Sequence, residues 1–325
     1  MNGAVIIVNY NGGGDLVRDL AIVLRLATAE NLEVVVVDNA STDGSVEEIR
    51  RVLPAVRVVP LSTNRGFAYG VNRGIEASDG PVVIVLNPDA VPEPSALGRL
   101  RAAVLGNPDC GILGGAVTDA SGNLDVCCAR PLPELSDILR EGVFLPKRTD
   151  SSWLRLREGD GDGLIPTGAI SGAAMAILRD NLARIGPMNE EFFLYNEDIE
   201  WCDRAQRVGL RTAVVPAARF VHRQGASTRK DERIPFAARM LADFLYFVDL
   251  RGESPSAVRW RWVLRQSFRA CLYAVFAIVG TRSRRASSRR RAAIYLRLAW
   301  LAVRTPWPPN HDAPRADPRA LRGAI

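Results

Sequence analysis

Four short Val/Ile runs, each bounded by turn formers and separated by stretches of helical spacing, constrain the fold of this chain most. They are Val5–Val8, Val34–Val37, Val56–Val59 and Val82–Leu86. A strand with one wet face alternates apolar and polar side chains, whereas a strand covered on both faces is apolar throughout. Parallel neighbours also need a crossover between them, which the intervening helical stretches supply. The pattern predicts an α/β domain with a mostly parallel central sheet and helices on both faces. A chain of 325 residues has room for one such core and an appendage.

In sheets of this kind ligands bind beyond the carboxyl ends of the strands, where loops converge. The first, second and fourth runs lead into Asn9-Tyr10-Asn11, Asp38-Asn39 and Asn87-Pro88-Asp89, and the third reaches Asn64-Arg65-Gly66 after a short link. Any one of these segments is also what ends an ordinary strand. Their collection at one edge is what points to a site.

Asp89 follows a buried strand in a Pro-containing turn, free to point off the sheet edge. A hard cation such as Mg2+ or Mn2+ is commonly held by one or two carboxylates plus substrate phosphates, so one acid here suffices. Alone, Asp89 reads equally as a turn aspartate, and Asp38, followed by Ser41-Thr42-Asp43, reads equally as the approach to a helix.

Residues 195–204, Tyr-Asn-Glu-Asp-Ile-Glu-Trp-Cys-Asp-Arg, are more informative. Asn196 is a candidate N-cap, and acids in a first helical turn are favoured by the helix dipole. At about 100° per residue, Asp198 falls in the arc of Ile199, Trp201, Cys202 and Ala205, whereas Glu200, Asp203, Arg204 and Arg207 share the other face and Glu197 lies on the border. A carboxylate on the apolar side costs stability unless it is paired or used. Asp198 is therefore a candidate base, the alternative being a buried aspartate bonded to nearby backbone. With an ordinary pKa of about 3.9, it would take the proton of an attacking hydroxyl late, as that oxygen becomes acidic.

Of the two histidines, His311 lies in a Pro-rich terminus and His222 follows the apolar Phe220-Val221. A neutral imidazole at His222 would complete a metal site with Asp89, although a lone histidine beside an apolar segment is more often merely packed. The segment 64–74, Asn-Arg-Gly-Phe-Ala-Tyr-Gly-Val-Asn-Arg-Gly, spaces glycines four apart into a helix that can approach its neighbours closely. It is neither a Walker loop nor GxGxxG, which removes the ordinary kinase and dehydrogenase readings. Cys110, Cys127, Cys128, Cys202 and Cys271 form no CxxC or zinc spacing and read as free thiols of a reducing compartment. The opening Met1-Asn2-Gly3 and Val/Ile run without a basic leader reads as a strand rather than a signal peptide, which predicts a cytoplasmic protein.

The net charge of +6 is unevenly placed: residues 251–325 hold sixteen arginines against Glu253, Asp312 and Asp317, so the rest of the chain is net −7. Residues 235–250 and 256–304 read as helices. The arginine-free run Ala270–Gly280 is shorter than the ~20 residues a bilayer span requires. Arginines flanked by Trp260, Trp262 and Trp300 suit an interfacial helix on anionic lipid, peripheral on the inner face of the membrane. The alternative is a helical pair packed on the domain or forming a homodimer. No nucleic-acid module accompanies the charge, so no nucleic-acid partner is expected.

Taken in order, Val8-Asn9-Tyr10-Asn11, residues 37–45, residues 64–74, Leu86-Asn87-Pro88-Asp89, Tyr195-Asn196-Glu197-Asp198 and Val221-His222-Arg223-Gln224-Gly225 resemble the family 2 glycosyltransferases of GT-A fold, in particular their rhamnosyltransferase-like branch. The resemblance covers about residues 4–228. It implies that Asn9, Tyr10, Asp38, Asn39, Asn64 and Arg65 hold the nucleotide. It further implies that Asn87 and Asp89 stand at the metal-binding DxD position with His222 assisting, and that Asp198 is the base. Gly172 and Ala173, with Glu197 and Asp198, would line the acceptor site. The cofactor implied is a divalent cation, Mg2+ or Mn2+, and the donor a dTDP- or UDP-linked sugar. The reaction implied is an inverting single transfer, best matched by L-rhamnose from dTDP-rhamnose to a lipid-linked saccharide acceptor of envelope polysaccharide. The alternatives are a UDP-hexose or UDP-galactofuranose donor, a natural-product acceptor, and a non-catalytic nucleotide-sugar-binding scaffold. Asn87 departs from the first acid of DxD, and Glu200 stands where aspartate is usual, a difference of little weight on a solvent face. Arg259-Trp260-Arg261-Trp262 lacks the glutamine of the QxxRW motif of processive synthases, which favours single addition. The expected organisation is a catalytic domain over 1–230, with its nucleotide half at about 1–118 and its acceptor half at about 165–230. A basic helical extension over 231–305 and a Pro-rich, disordered tail over 306–325 follow.

Overall fold

A computed structural model of the protein describes residues 1–119, 121–122, 128–132, 163–222, 243–252, 254–279 and 282–304. The chain divides into two compact units, residues 1–132 with 151–229, and residues 133–150 with 230–325. The tail 306–325, most of residues 119–166, Cys127 and residues 223–225 lie outside the described residues.

The first unit is built on a mixed, largely parallel sheet with helices on both faces. Strands β1 (Gly3–Asn9), β2 (Leu32–Asp38), β3 (Arg57–Pro60) and β4 (Val82–Leu86) pair in parallel in the order β3-β2-β1-β4. Helices α1 (Gly13–Ala29), α2 (Ser45–Val52) and α3 (Phe67–Glu76) make the crossovers. As the apolar runs require, β1 and β4 are buried along their whole length. The third run departs from expectation: β3 is an edge strand with both ends exposed, because Arg57 and Pro60 flank only two apolar residues. Asn9 pairs with Asp38 and Ile7 with Leu86, so Asn9, Asp38 and Asn87 lie side by side at the carboxyl edge.

The sheet continues through later elements: β5 (Ala90–Pro92), α4 (Ala96–Gly106), β6 (Cys110–Thr118), β7 (Ala129–Arg130), β8 (Ile165–Pro166), β9 (Ala169–Ile170), β10 (Ala174–Leu178), α5 (Arg179–Ile185), α6 (Glu197–Arg207) and β11 (Arg211–His222). From β4 the order is β4-β10-β6-β11-β5, with β8 on β11 and β7 paired separately with β9. Strand β10 runs antiparallel to β4, with Ala174 opposite Leu86, which carries Gly172 and Ala173 to the turn after β4. Strand β11 reaches His222 by means of a bulge. Val215 pairs with Gly115 and Arg219 with Ala116, leaving residues 216–218 outside the ladder. Pro216, which has no N–H to donate, suits that position.

Helix α3 lies close on β1. A Cβ on Gly74 would sit 2.3 Å from Ile6 Cγ2, and one on Gly70 2.7 Å from Val8 Cγ1. Gly66, just before the helix, has φ +96°, and a Cβ there would sit 2.2 Å from the Phe193 carbonyl oxygen, which accepts the Phe67 N–H at 2.8 Å. Gly66→Ala therefore combines a backbone penalty with a collision against main chain, and should cost about 2–4 kcal/mol. A thermal unfolding midpoint within a degree of wild type would contradict this account.

In the second unit, residues 243–250 are helical, followed by α7 (Pro255–Val279) and α8 (Arg282–Arg304). Tyr273 stacks on Tyr295 at 5.5 Å between centroids and accepts a hydrogen bond from Arg291, while Arg269 lies 5.6 Å from the Tyr295 ring. Contacts that run backwards along α8 as they run forwards along α7 define an antiparallel pair. Leu245, Val248, Val258 and Ala302 form a small core beside it. Helices α7 and α8 carry twelve arginines and no acid, and leave Trp260, Leu264, Phe268, Val275, Phe276, Ile278, Leu296 and Trp300 exposed. The short arginine-free run had argued against a membrane span. By length and composition, however, Pro255–Val279 is the one helix among the described residues sufficient to cross a bilayer.

Candidate active site

At the amino-terminal end of the edge, Asn9 is fully buried. Its amide nitrogen donates to Asp38 Oδ1 at 2.9 Å, Ser45 Oγ at 3.0 Å and Ser41 Oγ at 3.1 Å, and its oxygen accepts from the Gly12 N–H at 3.1 Å. A side chain engaged at both ends acts as a strut: Asn9 holds β1, β2 and the start of α2 in place rather than offering itself to a ligand. Asp38 accepts the Ser41 N–H on its other oxygen at 3.0 Å. Each carboxylate oxygen has a second lone pair, so Asp38 can still accept from a ribose or base. Burial works to raise the Asp43 pKa, but hydrogen bonds from the Ser45 side chain and backbone and the Gly13 N–H outweigh it and hold the carboxyl below its ordinary value.

Asn39 ties this patch to the next loop, donating to Gly66 O at 2.9 Å and accepting from the Arg65 N–H. Asn64 closes its own turn by accepting the Gly66 N–H at 3.0 Å. The Arg65 guanidinium lies 3.7 Å above the Tyr69 ring, with Glu190 3.8 Å away. Tyr10 follows Asn9, half-buried. Asn9 thus bonds Asp38 through its side chain and the Asn39 N–H through its carbonyl at 2.8 Å, Asn39 bonds Arg65, and Asn64 joins them only by way of Gly66.

Beyond β4, the Asn87 N–H donates to Ala173 O and the Ala90 N–H to Asn87 O, each at 3.1 Å, forming the turn that carries Asp89. Strand β5 then pairs antiparallel with β11, His222 opposite Ala90. This pairing brings His222 Nε2 to 2.9 Å from Asp89 Oδ1, with both side chains about one-sixth exposed (16% and 15%). One carboxylate and one imidazole at an accessible edge fit a hard cation that draws its remaining ligands from phosphate and water. Among the described residues no group of three or more acidic, His or Cys side chains could hold a metal by itself.

Asp198 stands in the first turn of α6 and is 9% exposed. Its Oδ2 accepts the Gly172 N–H at 3.1 Å, and its Oδ1 accepts the Ile199 N–H at 2.8 Å. Gly172 is closely packed: a Cβ there would sit 3.0 Å from the Phe67 ring, which would have to give by a few tenths of an ångström. Because Ala173 binds Asn87 and Gly172 binds Asp198, three consecutive links join the Asp89 turn to the candidate base. Glu197, beside it, is 4% exposed. The Asn9–Asp38 patch, the Asp89–His222 pair and Asp198 all lie at one edge.

The sequence model of Glycosyl transferase family 2 matches residues 4–125. N-acetylglucosaminyl-diphospho-decaprenol L-rhamnosyltransferase of Mycobacterium tuberculosis is 30% identical over 280 residues, 81% of this chain and 89% of the relative. The chain belongs to glycosyl transferase family 2. It is a glycosyltransferase of the rhamnosyltransferase-like branch. Its fold is GT-A, as in two solved structures. Mannosyltransferase PcManGT from Pyrobaculum calidifontis with GDP-Man and Mn2+ superposes with TM-score 0.56 at 19% identity, covering 94% of this chain and 87% of the other. GalNAc-T7 with UDP, GalNAc and Mn2+ superposes with TM-score 0.57 at 17% identity over 76% of this chain, which spans about half (48%) of that one.

Three features of this family 2 site differ from the sequence reading. Glu200 and Asp203, expected on a solvent face, are each 9% exposed. Helix α6 packs on the sheet and also against the end of α5: Trp201 donates to Gly186 O at 2.9 Å and Arg204 to Ile185 O at 3.1 Å. Burial pushes the Glu200 carboxyl above its ordinary range, opposed by a bidentate pairing with Arg204 at 2.8 and 3.0 Å. Glutamate at this position therefore carries structural weight. Second, Asn196 occupies the N-cap but caps nothing, with φ +67° directly after Tyr195 at φ +72°. Such a conformation costs a non-glycine residue about 1–3 kcal/mol, less for Asn. Third, Asn72 was missed. Buried in α3, it donates to Met188 O at 2.8 Å and accepts the Met188 N–H at 3.0 Å, fastening α3 to the segment leading into α6. An amide on the buried side of a helix was the available signal. Cys202 is a structural thiol: complete burial raises its pKa far above the ordinary value, and its sulfur accepts the Ile170 N–H.

Proposed function

We propose that this glycosyltransferase transfers a deoxyhexose, L-rhamnose from dTDP-rhamnose, to a hydroxyl of a lipid-linked saccharide at the cytoplasmic face of a membrane. The observation that carries the reading is the chain of hydrogen bonds Asn87–Ala173 and Gly172–Asp198, which sets a buried carboxylate and the Asp89–His222 pair at one edge. The identity to the mycobacterial L-rhamnosyltransferase supports the choice of sugar and of a polyprenyl-linked acceptor.

In this reading Asp38, Asn39, Asn64 and Arg65 receive the nucleotide, braced by Asn9. Asp89 and His222 hold a divalent cation, Mn2+ suiting a mixed carboxylate–imidazole pair better than Mg2+. When bound, the cation neutralises charge developing on the departing diphosphate. Asp198 takes the proton of the acceptor hydroxyl as that oxygen bonds to the anomeric carbon. The bond from that carbon to the diphosphate oxygen breaks, and its electron pair leaves with the nucleotide, which inverts the configuration. Gly172 donates to Asp198 and keeps its carboxylate oriented. Helices α7 and α8, with arginines and exposed Trp, Phe and Leu side chains and no acid, form a basic extension that rests on anionic lipid.

The test is nucleotide release from dTDP-rhamnose, UDP-glucose and UDP-galactofuranose, each with Mn2+ or Mg2+. Each is assayed with and without polyprenyl-diphospho-N-acetylglucosamine in anionic phospholipid vesicles. Cation- and acceptor-dependent release from dTDP-rhamnose, increased by the vesicles, is expected. Release from a UDP-sugar alone would overturn the donor assignment. Nucleotide binding without release from any donor would make the protein a scaffold.

A further inference from the structure

Asn196 is 92% buried, being 8% exposed, yet its amide nitrogen has no hydrogen-bond partner among the described residues. It makes no capping bond to the helix it precedes. An unsatisfied buried donor is expensive, and native folds keep few of them. Asn suits φ +67° better than other side chains do, but that preference does not require its amide nitrogen to be buried without a partner, and glycine would take the turn with no such donor. The fold thus leaves this N–H group unmet, whereas its position is specific: two residues before Asp198, at the start of an eleven-residue helix. Tyr195, also in the left-handed region, precedes it, and paired departures from favoured backbone accumulate where a site needs side chains in set places.

We propose that Asn196 is a substrate-contacting residue, its amide N–H group donating to an oxygen of the acceptor saccharide next to the hydroxyl that Asp198 deprotonates. The inference rests on the assignment of Asp198 as base in the proposed function. A neutral donor suits a sugar hydroxyl or ring oxygen. The specificity that follows is for an acceptor with an oxygen beside its nucleophile, because an acceptor lacking it leaves a buried donor unmet.

Two variants test this, Asn196→Gly, which relieves the backbone and removes the amide, and Asn196→Asp, which keeps the shape but only accepts. Each is assayed beside the wild type with dTDP-rhamnose and polyprenyl-diphospho-N-acetylglucosamine, or with whichever donor and saccharide pair the wild type turns over. Both variants should raise KM for the saccharide roughly 5–30-fold while KM for the nucleotide sugar changes less than about twofold, and Asn196→Gly should unfold no earlier than wild type. An unchanged saccharide KM in Asn196→Gly would mean that the side chain merely occupies a turn. Equal rises in both KM values would mean general disruption, and Asn196→Asp behaving as wild type would exclude donation; each result overturns the proposal. If the wild type turns over no pair, the underlying functional reading fails first, without recourse to the variants.

Discussion

Asp198→Asn should lower kcat by about 10²–10⁴, the usual worth of a positioned general base, with KM for the nucleotide sugar little changed. Asparagine keeps the shape of the side chain but has a single acceptor oxygen, so it can keep the Gly172 N–H bond or the Ile199 N–H bond and not both. It also loses the capacity to take a proton. The two readings of a buried aspartate here separate in turnover. If the carboxylate only secured Gly172 and the first turn of α6, the variant would unfold earlier yet turn over normally. If it is the base, the variant also unfolds somewhat earlier, by the one bond lost, and turnover collapses. Steady-state kinetics and a thermal melt of the same preparation decide, and kcat within threefold of wild type would remove Asp198 from the mechanism.

Asp89→Asn is expected to have an effect of similar size, about 10²–10³ in kcat, with a second signature that needs no turnover. Asparagine can still bond His222, so the β5–β11 turn survives, but the charge that attracts a cation is gone. In the wild type, Mn2+ with dTDP should raise the melting midpoint beyond what either gives alone, since a ligand that binds only the folded state stabilises it by mass action. The variant should show no such joint rise. A variant that retains it would place the cation elsewhere.

How much of this was legible beforehand follows the range of the interactions. The apolar runs identified β1, β2 and β4 because two covered faces leave no polar position, and the polar residues after them had to share an edge. Counting 100° per residue placed Asp198 inward correctly, because its first turn meets the core. The same count misplaced Glu200 and Asp203. A single angular average assumes one buried side, and the start of α6 has cover on two, from the sheet and from residues 185–186. The pairing of Asp89 with His222 depends on a strand register between residues 133 positions apart, which no local pattern encodes; the residue types offered it only as one reading beside a merely packed histidine, and the resemblance favoured it. Asn196 was misread for a related reason. Composition names the residue types that cap helices, whereas the side-chain bond that defines a cap depends on a backbone turn invisible in the sequence.

The bulge in β11 divides that strand into two segments with different tolerance to length. Residues 216–218 pair with no strand among the described residues, so a residue gained or lost there breaks no ladder bond, although Pro216 and Ala218 are buried and the core beside them would have to adjust. Between Arg219 and His222 there is no slack. One added or deleted residue would turn the imidazole to the opposite side of the sheet, and a chain still containing both side chains would have lost the contact of His222 with Asp89. Spacing over those four positions matters to that contact as much as the identity of the histidine.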